Sequence, residues 1–369
     1  MKKTLLITYF FPPQIGGMEN YYLNLCQNLP ADKIVVLTQK NSNANQFDQN
    51  QKYKIYRTDF FGGLISPHWW QLKGKINRIK KEEVIEQIIF GHFHPLNILG
   101  NYFGLPYFIF VHGTDVRQVK NNFWQKIIFK KVYKNCLKII ANSDYIAKEV
   151  QKITGSDEKI SVIYPGINYS VFDKPADDLE DKKRELGLEK DDLVMLSLGR
   201  LIKQKNFATI IELLPAWLMD FPNLKYVIVG TGKEQENLIK LVDDLGLKKS
   251  VKFAGRIDNN DNSKKVYYQL ADLFVSISSA PEGFGISYLE AQASGLPVVA
   301  SKMGGSAEAI VDHQTGLLVD PHDLGQIKEA ILELLSDKIK RNNYGQAGKT
   351  RLQEKFDWSK QINKIKEIL

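Results

Sequence analysis

Short β-branched and apolar runs alternate with longer amphipathic stretches over the whole chain, and this alternation constrains the fold more than any other feature. In the first half the runs lie at 4–10, 33–38, 54–58, 88–92, 107–111, 137–141 and 161–164. In the second half they lie at 194–198, 225–229, 251–254, 273–277, 297–300 and 316–319. Most are apolar on both faces, as strands covered by helices on both sides must be. Helical patterns stand between them, among them 207–220, 234–245, 287–294 and 324–335. The alternation predicts parallel sheets with right-handed crossovers, in two Rossmann-like α/β domains in series.

A length of 369 residues suits two domains better than one core. Pro165-Gly166 ends a strand, and residues 173–192 are charged, weakly apolar and contain Pro175, which suits a linker and a surface helix. The expected divisions are a domain at 1–168, a second at 169–355 and a terminal helix at 356–369 that returns to the first domain. No run of about 18 apolar residues is present to span a membrane. The opening apolar run is short, meets Pro12-Pro13 and lacks a small-residue cleavage site, so it reads as a buried strand rather than a signal peptide. Cys26 and Cys136 are the only cysteines, which points to free thiols in a reducing compartment.

The net charge of +8 is unevenly spread. Residues 1–168 hold 22 Lys+Arg against 12 Asp+Glu, and the remainder hold 28 against 30. An asymmetric basic half suggests an anionic partner. Trp69-Trp70 precede Lys73, Lys75, Arg78, Lys80 and Lys81, with no acid between Asp59 and Glu82. Arg117, Lys120, Lys126, Lys130, Lys131, Lys134 and Lys138 mix with Phe123, Trp124, Phe129 and Tyr133, with no acid between Asp115 and Asp144. Cations beside tryptophan on a helical face suit an anionic lipid surface. The plainer reading is a helix packed through Ile127, Ile128, Val132 and Cys136 with a solvated lysine face. No nucleic-acid-binding motif appears.

Open α/β sheets bind ligands outside the carboxyl ends of their strands, so the residues after each strand carry the functional signal. Gly16-Gly17 follow the first strand and open a helix; they are either a tight turn or a close backbone approach to an anion. His112-Gly113-Thr114-Asp115 follow the fifth strand, where a histidine is either a ligand contact or a structural hydrogen-bond partner. His92 and His94 lack clustered acidic or cysteine ligands, so they read as structural rather than metal-binding. In the second half, Gly199-Arg200 and Lys205 flank a turn before a helix, a cation pair that fits a diphosphate. Val229-Gly230-Thr231-Gly232 is only a fragment of a dinucleotide fingerprint and does not support NAD, although it can host a phosphate or a ribose. The most specific stretch runs from Ser278 to Ala291: a glycine-rich loop carries Glu282, and Glu290 follows about two turns into a helix. A buried carboxylate there needs a partner, expected to be a polar ligand or Arg200 or Lys205.

Together these residues resemble glycosyltransferase family 4, retaining transferases of the GT-B fold. The likeness covers nearly the whole chain and rests on Gly16-Gly17, His112-Gly113-Thr114-Asp115, Pro165-Gly166-Ile167-Asn168, Gly199-Arg200, Lys205 and the pair Glu282 and Glu290 with seven residues between them. Pro281 stands at a position that varies in the family. The resemblance implies two Rossmann-like domains facing across a cleft, with a UDP- or GDP-sugar mostly on the second. By position it gives the diphosphate to Gly16, Gly17, Arg200 and Lys205, and the ribose to Glu290. Glu282 with Gly283, Phe284 and Gly285 would position the sugar, Gly230 would line the donor site, and Arg256-Ile257 would meet the base. His112 would contact the sugar near its reacting carbon. The implied reaction transfers a hexose-type sugar with retention, by same-face attack in which the leaving phosphate helps deprotonate the acceptor. The sequence has no Asp-x-Asp motif, so no metal or cofactor is expected, only the nucleotide-sugar substrate.

The expected setting is the cytoplasm, at the inner face of the membrane, with a glycan or lipid-linked acceptor for a surface polysaccharide. Two other readings stay open: a soluble transferase making a small glycoside, and a non-catalytic scaffold that binds nucleotide or glycan.

Overall fold

The computed structural model describes residues 1–14, 16–60, 68–257 and 261–369, the side chains at 68–71, 95–96 and 261–262 excepted. The chain divides into two units: Met1–Gly166 with Trp358–Leu369, and Ile167–Asp357.

The first unit holds a parallel sheet of β1 (Thr4–Ile7), β2 (Ile34–Gln39), β3 (Lys54–Thr58), β4 (Gln87–Phe90), β5 (Tyr107–Val111), β6 (Lys138–Ala141) and β7 (Ile160–Val162). Its order is β3-β2-β1-β4-β5-β6-β7. Both faces are covered by helices, which is why Leu5, Leu6, Ile88 and Ile89 are all fully buried although neighbours in a strand point to opposite faces. Each such side chain contributes roughly 1.5–3 kcal/mol of apolar burial.

The second unit repeats the plan with β8 (Leu193–Leu198), β9 (Leu224–Val229), β10 (Val251–Gly255), β11 (Leu273–Ser276), β12 (Val298–Ser301) and β13 (Gly316–Val319), all parallel. The order is β10-β9-β8-β11-β12-β13. In each sheet the winding direction reverses once, between β1 and β4 and between β8 and β11. The loops leaving those strands diverge to opposite faces and open a crevice at their carboxyl ends.

The terminal helix Trp358–Ile368 belongs to the first unit. Its Trp358 ring lies against Gly166, where a Cβ would come within 2.6 Å of the indole, and 5.5 Å from the Tyr21 ring. Gln87 donates to the Leu369 carbonyl at 3.0 Å. The charged stretch after Pro165 belongs to the second unit. Phe172 there is buried, and Gln269 bonds the backbone at Phe172, Lys174 and Ala176.

Candidate active site

In the second unit, the turn after β8 is built by close backbone approach. Leu201 N–H donates to Thr231 at 3.0 Å, and a Cβ on Gly230 (φ 134°) would fall 1.9 Å from the Gly199 carbonyl oxygen. Position 230 must therefore be glycine. Residues Lys203–Lys205 form one 3-10 turn, Asn206 adopts a left-handed conformation, and the helix Phe207–Leu218 follows.

The loop after β11 is tied across the reversal to this turn. Ser279 N–H donates to the Gln204 carbonyl at 2.8 Å, and Ser278 Oγ donates to the same oxygen at 3.0 Å. The result is an ion pair between Lys205 Nζ and Glu282 Oε1 at 2.7 Å, with side-chain exposures of 21% and 18%. At that exposure the pair adds little to stability; its significance is its place. Arg200 is exposed, and its guanidinium makes no hydrogen bond or ion pair with any described residue. Gly305 N–H donates to Glu282 O at 2.9 Å, and a Cβ on Gly304 or Gly305 would strike the backbone of Glu282 or Gly283. Glu282 and Gly283 are thus held from behind by the next loop. Phe284 turns its ring into the core, 5.4 Å from Phe356, so only its backbone can serve a ligand.

Glu290 differs from expectation in two respects. Gly285 (φ 96°) caps the helix Ile286–Ala293, so Glu290 is its fifth residue, just over one turn in rather than two. Its partners are neither Arg200 nor Lys205. Glu290 is 3% exposed; Oε1 accepts from Lys264 Nζ at 2.5 Å and Oε2 from the Tyr268 hydroxyl at 2.7 Å. Lys264 and Tyr268 stand four apart on the helix Asp261–Gln269 and so share a face. Sequence reading missed both, although a lysine repeating with tyrosines at helical spacing was a visible signal. Exposed Arg256 and half-buried Ile257 follow β10, which Gly230 N–H ties to β9 by a 2.8 Å bond to Gly255. They lie two strands from β8, about 10 Å along the sheet.

In the first unit, Gly16 and Gly17 lead into the helix Gly17–Asn28. Gly16 is extended, so its φ does not require glycine, and a Cβ there would meet only the carboxylate tip of Glu19, at 2.1 Å from Oε2. Asp115 is buried. Its carboxylate accepts backbone N–H bonds from Phe93, His112, Gly113 and Val116 at 3.0–3.1 Å, joining the ends of β4 and β5. His112 is left at the strand end with its ring between Tyr21 and Tyr22, centroids 5.1 and 5.5 Å away. Its Nε2 lies 2.5 Å from the Tyr22 hydroxyl oxygen. Burial lowers the His112 pKa against the opposing pull of Asp115.

His92 sits among Tyr9, Phe10 and His94, and burial pushes its pKa down to about 4. His92 and His94 line a mostly apolar pocket with Ile7, Tyr9, Phe90 and Leu99. Among the described residues no three acidic, histidine or cysteine side chains gather as a metal site.

The two basic segments fare differently. In the helix His68–Glu82, Lys75 and Lys80 donate to backbone carbonyls at 2.6 Å and Arg78 pairs with Glu82, so fewer cations are available than expected. The Trp69 and Trp70 side chains lie outside the described residues. In the helix Phe123–Asn135, Val132 and neighbouring Cys136 are buried, but Ile127, expected to pack, is exposed together with Phe123 and Trp124. Lys130, Lys131 and Lys134 are exposed on the same helix. No helix among the described residues is long and apolar enough to cross a membrane.

Residues 15–171 match Glycosyltransferase Family 4, and residues 178–351 match Glycosyl transferases group 1. The chain is 27% identical to the GDP-mannose-dependent monoacylated alpha-(1-6)-phosphatidylinositol monomannoside mannosyltransferase of Corynebacterium glutamicum, over 100% of this chain and 98% of that one. Its fold is similar to Anabaena HepE in complex with UDP and glucose (TM-score 0.84, 20% identity, 100% and 99% covered). It is also similar to sucrose-phosphate synthase from Thermosynechococcus elongatus (TM-score 0.82, 21% identity, 100% and 98% covered). These likenesses give the architecture as GT-B.

Proposed function

Because the chain belongs to glycosyltransferase family 4, a family that transfers sugars from nucleotide sugars, we propose that it moves a hexose from a UDP- or GDP-sugar to a lipid-linked glycan with retention of anomeric configuration. The observation that carries this reading is the Lys205–Glu282 pair, formed at the reversal of the second sheet, with Arg200 on the same turn and its guanidinium unpartnered among the described residues. A diphosphate leaving group carries charge that must be met as the glycosidic bond breaks, and preorganised cations meet it without reorganisation. Arg200 and Lys205 take that role. Glu282 has a second carboxylate oxygen for a sugar hydroxyl while Lys205 holds the first. Glu290 accepts from the ribose, Gly230 borders the donor, and the Arg256-Ile257 backbone meets the base. To the first unit the reading gives the Gly16 and Gly17 amides as diphosphate ligands and His112 as a contact of the donor sugar. The leaving phosphate deprotonates the acceptor hydroxyl on the same face, so neither a metal nor a cofactor is required.

The lipid acceptor is supported by the Corynebacterium relative, whose name specifies a phosphatidylinositol monomannoside, and by the exposed face of the helix Phe123–Asn135. Phe123, Trp124 and Ile127 beside lysines suit a helix lying in an anionic membrane interface, and this supports the reading that the enzyme works at the inner face of the cell membrane.

Incubation with UDP- and GDP-hexoses and a lipid-extract acceptor, read by NMR of the product anomeric proton, tests the reading. Transfer with the donor's configuration kept supports it; inversion, or no transfer and no donor hydrolysis with any sugar nucleotide, contradicts it.

A further inference from the structure

Tyr22 was not singled out by sequence, yet it is fully buried on the helix Gly17–Asn28 and its hydroxyl meets two groups at once. One is the carbonyl oxygen of Gly91, the other His112 Nε2 at 2.5 Å. The close fit is built in: a Cβ on Gly91 would lie 3.0 Å from Tyr22 Cζ and 2.8 Å from Thr8 Cβ, so glycine there lets the ring through.

The proton count then fixes the imidazole. A carbonyl oxygen can only accept, so the single tyrosine proton goes to Gly91. The hydroxyl oxygen turns a lone pair to His112, and Nε2 must donate to it. In a neutral imidazole the lone pair then sits on Nδ1. No described side chain pairs with Nδ1; besides Tyr22 the ring's hydrogen-bond partner is the Gly91 carbonyl, itself an acceptor. Asp115, the one carboxylate of this turn, is occupied by four backbone N–H groups and does not orient the ring.

We propose that Tyr22 is a positioning residue that locks His112 as the Nε2–H tautomer, so that Nδ1 accepts a hydrogen bond from a hydroxyl of the bound sugar. The sugar contact rests on the assignment of His112 given above; the tautomer lock does not. Held this way, the ring is a fixed acceptor at the strand end, and no carboxylate primes it as a proton donor. The ligand class it favours is a polyol hydroxyl, a donor, over a carbonyl or an anion.

Long-range ¹H–¹⁵N correlation of the histidine-labelled full chain reads the tautomer directly. The unmodified protein is expected to show His112 as a single Nε2–H form at neutral pH. Tyr22→Phe, nearly isosteric, is expected to show the Nδ1–H form as well. An Nδ1–H or mixed signal in the unmodified protein, or an unchanged Nε2–H form in Tyr22→Phe, overturns the lock. Turnover supplies the functional half. Tyr22→Phe should lower kcat by about tenfold, in the range for losing one buried hydrogen-bond partner, and add nothing in a His112→Ala background. An equal loss in both backgrounds overturns action through His112. If the tautomers behave as stated but His112→Ala keeps full turnover, the sugar contact fails and the lock stands.

Discussion

Lys205 Nζ lies 2.7 Å from Glu282 Oε1, although 77 residues separate them. The pair exists because Gln204 accepts from Ser278 and Ser279, which pins the loop after β11 to the turn after β8. Removing the cation should therefore disturb function far more than folding. Lys205→Ala or Arg200→Ala is expected to cut turnover at least a hundredfold, about the 2.7–4 kcal/mol typical of one preorganised donor. Thermal unfolding should stay within a few degrees, since a partly exposed pair contributes on the order of 1 kcal/mol or less. Steady-state kinetics with a melting curve checks both halves, and near-normal rates in both variants would remove the assignment.

The buried Glu290–Lys264 pair should behave in the opposite way. Lys264→Met leaves a carboxylate buried without its cation, which costs about 3–5 kcal/mol. Lys264→Met with Glu290→Gln removes both charges and should recover most of that loss without recovering nucleotide affinity. Calorimetric unfolding combined with titration of nucleoside diphosphate separates stability from binding. A double variant as unstable as the single one would show that the charge pair is not the cause.

Acid should weaken the first unit. Burial lowers the pKa of His92, His94 and His112, so near and below pH 6.5 the unfolded chain binds more protons than the folded one. Stability is then full above about pH 6.5 and falls on acidification, by up to ~1.4 kcal/mol per pH unit for each such group. For His92 the loss continues down to about pH 4. Urea unfolding at pH 7.5 and 5.5 measures it, and His92→Asn should reduce the difference. A pH-independent midpoint would contradict the buried neutral state.

On the proposal that Arg200 and Lys205 meet the leaving charge, excess EDTA should leave turnover unchanged and added magnesium should not raise it more than about twofold, well short of the several kcal/mol a catalytic metal supplies. Loss of activity with EDTA, restored by a divalent ion, would refute metal independence.

The proposed membrane contact would use the exposed face of the helix Phe123–Asn135. Flotation with vesicles containing anionic lipid should recover the protein, less so at high salt, and Trp124→Ala with Lys130→Ala and Lys131→Ala should abolish recovery. Recovery indifferent to lipid charge and to these changes would count against it.

Every strand was legible in the sequence because buried parallel strands are apolar on both faces and the helices between them are not. The ends were less legible, for local reasons. The first run was read through residue 10, but β1 stops at Ile7: Thr8 Oγ1 bonds Phe10 N–H, and Tyr9 and Phe10 join an aromatic cluster. The run at 88–92 ends early because the chain turns at Gly91. Partners set by helix register were not legible. Lys264 with Glu290 and Tyr22 with His112 join residues 26 and 90 positions apart, and one sequence does not say how a helix is rotated against the helix or strand end it packs on. The direction of the Asp115 carboxylate was not legible either, because a motif shows composition and not which side chain the backbone amides claim.

The most direct test is binding of sugar nucleotides to the second unit's cation and carboxylate set. A thermal-shift screen of UDP-, GDP- and ADP-sugars on the full chain should give one nucleotide class a clear rise in melting temperature, since a ligand at about a hundred times its Kd adds about 2.7 kcal/mol. That rise should vanish in Arg200→Ala and Lys205→Ala. No shift with any of the three, or a shift that survives both substitutions, would contradict the account.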